Sequence, residues 1–161
     1  MSARRRFGLT WWGQRWIAAL EALGARYANR LPRGRTYARK GTVSDLRIAA
    51  GVVTASVQGS RPRPYQVRLE LRTFSDETWG AITAALADAV GHAAALLDGR
   101  VPEDIDETLA ACGVSLFPRG GDLRTHCSCP DVANPCKHVA AVHYLLAEAF
   151  DGDPFLLPEL R

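Results

Sequence analysis

Residues 123–150 read LRTHCSCPDVANPCKHVAAVHYLLAEAF, and this stretch organises the reading of the whole chain. Three of the four cysteines lie in it, Cys127, Cys129 and Cys136, and His138 follows two residues after the last. The pattern is C-x-C-x6-C-x-H. A tetrahedral zinc site takes four soft or borderline ligands, and three thiolates with one imidazole fill it. Cys127 and Cys129 are two apart, so on an extended strand both point to the same side. Pro130 turns the chain away. Asn134 suits a helix cap and Pro135 the first helical position. Cys136 then falls in the first turn, where free amides favour a thiolate. Residues two apart in a regular helix diverge by roughly 200°. Cys136 is therefore expected at the very edge of the helix, with His138 just inside. Val139, Val142, Leu146 and Phe150 keep helical spacing to the end of the stretch.

The neighbouring residues read differently. Cys112 closes an apolar stripe and suits a small core position. His126 adjoins Cys127 but points to the opposite face, towards solvent or the surroundings of the ligands. His143 lies about 140° round the helix from His138 and reads as structural. A redox C-x-C pair is the rival reading of Cys127 and Cys129, but it leaves Cys136 and His138 unexplained. Catalytic zinc keeps one position open for water, and here protein fills all four. Asp131, the acid inside the loop, suits a turn more than a general base. The sequence has no Walker-type loop, G-x-S-x-G elbow or dinucleotide fingerprint. The expectation is a non-enzyme with one structural Zn2+ and no small-molecule substrate.

Working back from the cluster, Val114–Phe117 and Leu123–Cys129 are expected to form a short hairpin around RGGD. Pro102 opens a short helix carrying Ile105, Leu109 and Cys112. Ser75 caps a helix whose stripe is Trp79, Ile82, Leu86, Val90, Ala93 and Leu97. Three strands precede it, with alternation at Leu46 and Ile48, at Val53, Ala55 and Val57, and at Tyr65, Val67, Leu69 and Leu71. Period two with one wet face suits an antiparallel meander. Pro32, Gly34 and Gly41 make regular structure unexpected over Arg30–Gly41. Thr10 caps a first helix, with Trp12, Trp16, Leu20, Leu23 and Tyr27 on one face. The fold class is α+β: a three-stranded antiparallel meander with packed helices and a C-terminal zinc-bound β-hairpin–helix. The expected parts are a basic helix and meander over 1–74, an acidic helical segment over 75–113, the finger over 114–150 and a tail over 151–161. Together they make one compact unit.

The run HCSCPDVANPCKHVAAVHYLL resembles the SWIM zinc finger, whose signature is C-x-C, a variable gap, then C-x-H. All four signature positions are present, at Cys127, Cys129, Cys136 and His138. The TYARKG segment, the GSRPRPY loop, the acidic helix near Pro102 and the GVSLFP run are similar to bacterial SWIM proteins of actinobacterial type. The resemblance spans roughly Thr36 to Phe150. It implies binding to DNA or to proteins, and association with a Swi/Snf-type helicase-like ATPase.

Charge points to the other half of the chain. The net charge of +3 hides an asymmetry. Residues 1–72 hold 15 Arg and Lys against three acids, while residues 73–161 hold five against 14. Such asymmetry suits polyanion binding or mutual neutralisation within the molecule. Arg33, Arg35, Tyr37, Arg39 and Lys40 form one Arg–Tyr segment and Arg61 and Arg63 a second, beside Tyr65. Arg beside Tyr can grip phosphate and stack on bases, so these residues are the candidate contacts to DNA or RNA. A solvated basic surface, or one covered by the acidic helices, is the alternative. A protein-interaction adaptor is the competing function class, and the apolar tail Pro154–Leu160, without an evident core of its own, favours it. No stretch approaches 18 uncharged apolar residues, and no secretory pattern is read. A cytoplasmic location, alongside the nucleoid, is therefore the expectation, with thiols kept reduced for metal.

Overall fold

Eleven positions of one helix, apolar residues and two histidines, are buried on every side, and the rest of the chain is arranged round it. In the computed structural model, which describes residues 4–131 and 133–161, this is α6, Lys137–Gly152. A helix apolar all round belongs inside a protein. The chain order is α1 (Trp11–Ala22), α2 (Ala25–Arg39), β1 (Val43–Ala49), β2 (Val52–Val57), β3 (Tyr65–Leu71), α3 (Asp76–Asp88), α4 (Val90–Leu97), α5 (Ile105–Ala111), β4 (Leu123–Cys127), α6 and α7 (Leu156–Leu160). The sheet covers one side of α6, and α1 and α2 cover the other.

The meander is present, but it has four antiparallel strands in the order β1-β2-β3-β4. β4 pairs with β3 through Val67↔Cys127, Leu69↔Thr125 and Leu71↔Leu123. The expected hairpin between Val114–Phe117 and Leu123–Cys129 does not form. The free edge of β3 takes β4 as its fourth strand. Residues 114–117 are instead tied to the Asp106 carboxylate, which accepts from Ser115 Oγ at 2.8 Å and from the Leu116 amide at 3.0 Å. This seats Leu116 and Phe117 in the core. The zinc-ligand segment thus shares the meander's sheet and has no hairpin of its own.

The segment expected to be irregular is a helix. α2 contains Pro32, whose missing N–H and ring sit on the exposed side. Gly34 is a close-approach residue and not a breaker. A Cβ built on it would overlap the Cβ and backbone of Ala140, so α2 crosses α6 backbone to backbone there. Gly13 plays the same part where α1 meets Ala147 and Asp151. Thr10 does cap α1, and Asp151 of α6 secures that cap by accepting from the Thr10 amide at 2.9 Å. The Trp12–Tyr27 stripe breaks at Gly24, so Tyr27 belongs to α2.

Two further expectations change. The stripe from Trp79 to Leu97 is divided at Ala89, where α3 and α4 meet at 101°. Val90 and Leu97 consequently stand exposed. The tail is not free. Leu157 and Leu160 of α7 are fully buried, and the Arg161 guanidinium donates to the carbonyls of Arg72 and Phe117 and to Asp122. Among the described residues, no single helix is long and apolar enough to cross a membrane.

Candidate metal centre

The alternation of β4 places Leu123, Thr125 and Cys127 towards α6, and Arg124 and His126 outwards. Cys127 and Cys129 therefore approach the start of α6 from one side. The helix itself begins later than the prolines suggest. Its cap is Cys136, in extended backbone, whose Sγ accepts from the Val139 amide at 3.5 Å. Asn134 does not cap it; the Asn134 amide donates to the Thr125 carbonyl at 3.0 Å and its Oδ1 accepts from the Thr125 hydroxyl. With Cys136 outside the helix and His138 inside, two residues two apart turn to the same point. This removes the angular conflict of a regular helix.

The ligand atoms of Cys127, Cys129, Cys136 and His138 all lie within 4.8 Å of one another. His138 Nδ1 is 3.8 Å from both Cys127 Sγ and Cys136 Sγ. A tetrahedron of Zn–S and Zn–N bonds has edges of roughly 3.5–3.8 Å, so the donor set fits zinc. Nδ1 is the ring nitrogen turned towards the thiols and would be the one to hold a metal, with Nε2 on the far side of the ring. That atom is buried, without a hydrogen-bond partner, against Gly59. Tyr65 and Tyr37 pack on the His138 ring, with centroids 4.7 Å and 5.4 Å away. The ring is thus fixed by aromatic contact. The Cys136 thiol is held well below its ordinary range by hydrogen bonds from Cys127 and His138 and from helix amides. Cys127 is pushed up, by its bond to Cys136 and by burial.

His126 lies on the exposed sheet face, opposite Arg68, and takes no part. Cys112 packs partly buried against the core. His143 is fully buried between the rings of Trp16 and Tyr27, and burial lowers its pKa to about 3.

The basic residues divide into groups. Arg33, Arg35, Tyr37 and Arg39 are on α2 and Lys40 caps its end, while Arg61 and Arg63 are exposed in the β2–β3 turn. The two segments both reach His138, one through Tyr37 and the other through Gly59 with Tyr65. Arg35 stacks on the Tyr144 ring at 5.2 Å, and Lys137 of α6 stands over Tyr37 at 5.2 Å. Arg33 faces elsewhere, into a groove it shares with Arg26 and Arg30 beside Asn134 and Pro135. Arg26 and Arg30 carry a signal that helical spacing can supply. With Arg33 they stand at i, i+4 and i+7, but Pro32 and Gly34 conceal the helix. The acidic helices meet this half at Arg15, which lies 3.8 Å from Asp106 of α5, and not at the candidate contacts. Among the described residues, no ion pair involves Arg26, Arg30, Arg33, Arg35, Arg39, Lys40, Arg61 or Arg63.

Residues 111–146 match the SWIM zinc finger. An uncharacterized protein of Mycobacterium tuberculosis is 51% identical over 157 residues, which is 97% of this chain and 56% of that protein. The chain spans about half the length of the curated relative it matches, and the likeness takes in the basic N-terminal half as well as the finger. No solved structure matches the chain.

Proposed function

For a chain whose residues 111–146 match the SWIM zinc finger and which carries a Cys3His site for one structural zinc, we propose a non-catalytic role in binding nucleic acid. The observation behind this reading is the set of arginines on α2. Arg26, Arg33, Arg35 and Arg39 are exposed and Arg30 is half-buried, none is in an ion pair among the described residues, and Leu31, Gly34 and Ala38 bury the inner side of the same helix. Guanidinium groups offer planar forks that match phosphate oxygens. The metal's part is geometric. Zinc bound by Cys127, Cys129, Cys136 and His138 ties the end of β4 to the start of α6. All four positions are then occupied by protein, which leaves no place for a reacting water. The finger between Cys127 and His138 contributes only Asp131 and Lys137 in charge, so attraction comes from the Arg-rich half.

Salt dependence tests the proposal. Phosphate-driven binding to duplex DNA weakens with a log–log slope of about −0.9 per phosphate neutralised, and to single strands about −0.7. Titration of labelled DNA and RNA with zinc-loaded protein is expected to show that slope. Absence of affinity for both at low salt would overturn the reading. A cytoplasmic setting, where the thiols stay reduced, belongs to it.

A second reading, an adaptor for a protein such as a helicase-like ATPase, draws on α4. Val90 and Leu97 are 82% and 91% exposed and stand seven residues apart, on one helix face. The buried α7 no longer supports it. Val90→Ser with Leu97→Ser is expected to abolish ATPase capture and spare DNA binding if this reading holds.

A further inference from the structure

Two concavities meet along the ridge of Asn134 and Pro135. The first, about 540 Å³, is lined by Arg26, Asn29, Arg30 and Arg33 of α2 together with Ala133 and that ridge. The second, about 710 Å³, continues from Arg26 past the ridge and is lined by Leu23, Tyr27, Leu123 and Arg124. Arg26, Asn134 and Pro135 belong to both, so one track runs from a cationic groove into a recess with apolar walls. No acidic side chain among the described residues lines either part. Arg26 to Arg33 covers about 10 Å of helix axis at ~1.5 Å per residue. That is the length of roughly three nucleotides of a B-form strand at ~3.4 Å each. The ridge is fixed in place. Asn134 exchanges two hydrogen bonds with Thr125 of β4, and Pro135 directly precedes the ligand Cys136.

Resting on the nucleic-acid reading above, we infer that this track binds a single strand, with successive phosphates on Arg33, Arg30 and Arg26 and an unstacked base in the Tyr27–Pro135 recess. A duplex presents phosphates to α2 but keeps its bases stacked, so the recess has nothing to receive from it. A strand with free bases fills both parts, and the rings of Tyr27 and Pro135 suit a planar base. An acidic peptide would satisfy the guanidinium groups but leave those flat walls without a matching group.

The experiment compares a labelled mixed-sequence single strand of DNA, the same strand of RNA, their duplex forms and an acidic peptide, each titrated with zinc-loaded protein at one low salt concentration. Single strands are expected to bind about tenfold more tightly than duplex, and Tyr27→Leu to remove most of that preference while Tyr27→Phe keeps it. Because Tyr27 also touches His143, a second readout uses the unaltered chain: 2-aminopurine placed along the strand should change emission at one position that enters the recess. Equal affinity for single strand and duplex, with no such position, overturns the inference and leaves the nucleic-acid reading standing. No binding to any nucleic acid overturns both. Tight capture of the acidic peptide in place of the strand overturns the inference in favour of a protein ligand.

Discussion

The zinc corner and the arginine face of α2 adjoin each other and are built on opposite terms. In the corner the groups face one another and are enclosed. Two thiols and an imidazole are tied to one another, the imidazole is enclosed by two tyrosine rings, and the helix amide of Val139 is spent on Cys136. On α2 the inward side is equally enclosed, with Leu31, Gly34 and Ala38 buried against α6, but the outward arginines have no acidic partner among the described residues. Enclosed groups fix shape, and exposed unpaired charges remain available to bind. Stability and binding should therefore respond to different substitutions.

The largest expected effect is on the corner. Structural zinc contributes about 10–16 kcal/mol to folding in small zinc modules. Here the ligands also anchor the N-terminus of the central helix. Chelation, or Cys136→Ser, is expected to lose the metal and to unfold at least residues 124–150, read by amide exchange and circular dichroism. A metal-free chain that stays folded would remove the corner's distinction. The next effect is at α7. Leu157 is fully buried, and Leu157→Ala should cost about 2–5 kcal/mol in denaturant unfolding, because it leaves a cavity. An effect near zero would return residues 151–161 to the status of a loose tail.

The enclosed side of the comparison also has a pH signature. Burial lowers His143 from 6.5 to about 3. Above pH 6.5 neither the folded nor the unfolded chain is protonated there, so the group adds no pH dependence. Between 6.5 and about 3 the unfolded chain gains a proton that the folded chain refuses. Stability is then lost as pH falls, by about 2 kcal/mol at pH 5. Acid also weakens the metal site, so the measure is the difference between wild type and His143→Leu. If the two lose stability in parallel, the histidine is not held neutral by the fold. The smallest stability effect belongs to the outward face: Arg33→Ala, at an exposed position, should move unfolding by no more than about 0.5 kcal/mol.

Legibility in the sequence follows the same divide. The corner depends on residue types at short spacing, so Cys127, Cys129, Cys136 and His138 can be named directly, and only the helix start is displaced, from Asn134–Pro135 to Cys136. Three strands of the meander are readable from alternation, because each has one wet face. The fourth cannot be assigned to their sheet, since the pairing of Leu123–Cys127 with β3 spans more than fifty residues and leaves no local mark. α2 is hidden because Pro32 and Gly34 usually interrupt helices. Only the partner shows why they do not here: Pro32 faces solvent and Gly34 admits Ala140. The stripe ending at Leu97 reads as one helix because the apolar spacing runs on through Ala89, and Gly91, two residues later, lies inside α4.

The division of labour between the two regions is tested most directly by one titration. Single-stranded DNA binding would be followed from about 50 to 200 mM salt for wild type and for the chain with Arg26→Ala, Arg30→Ala and Arg33→Ala, with zinc content measured on both. The expected result is one zinc per chain and an unchanged unfolding midpoint in the variant, with the log–log salt slope reduced by about 2, three contacts at ~0.7 each. A variant that keeps its zinc, its fold and the full wild-type slope would contradict it.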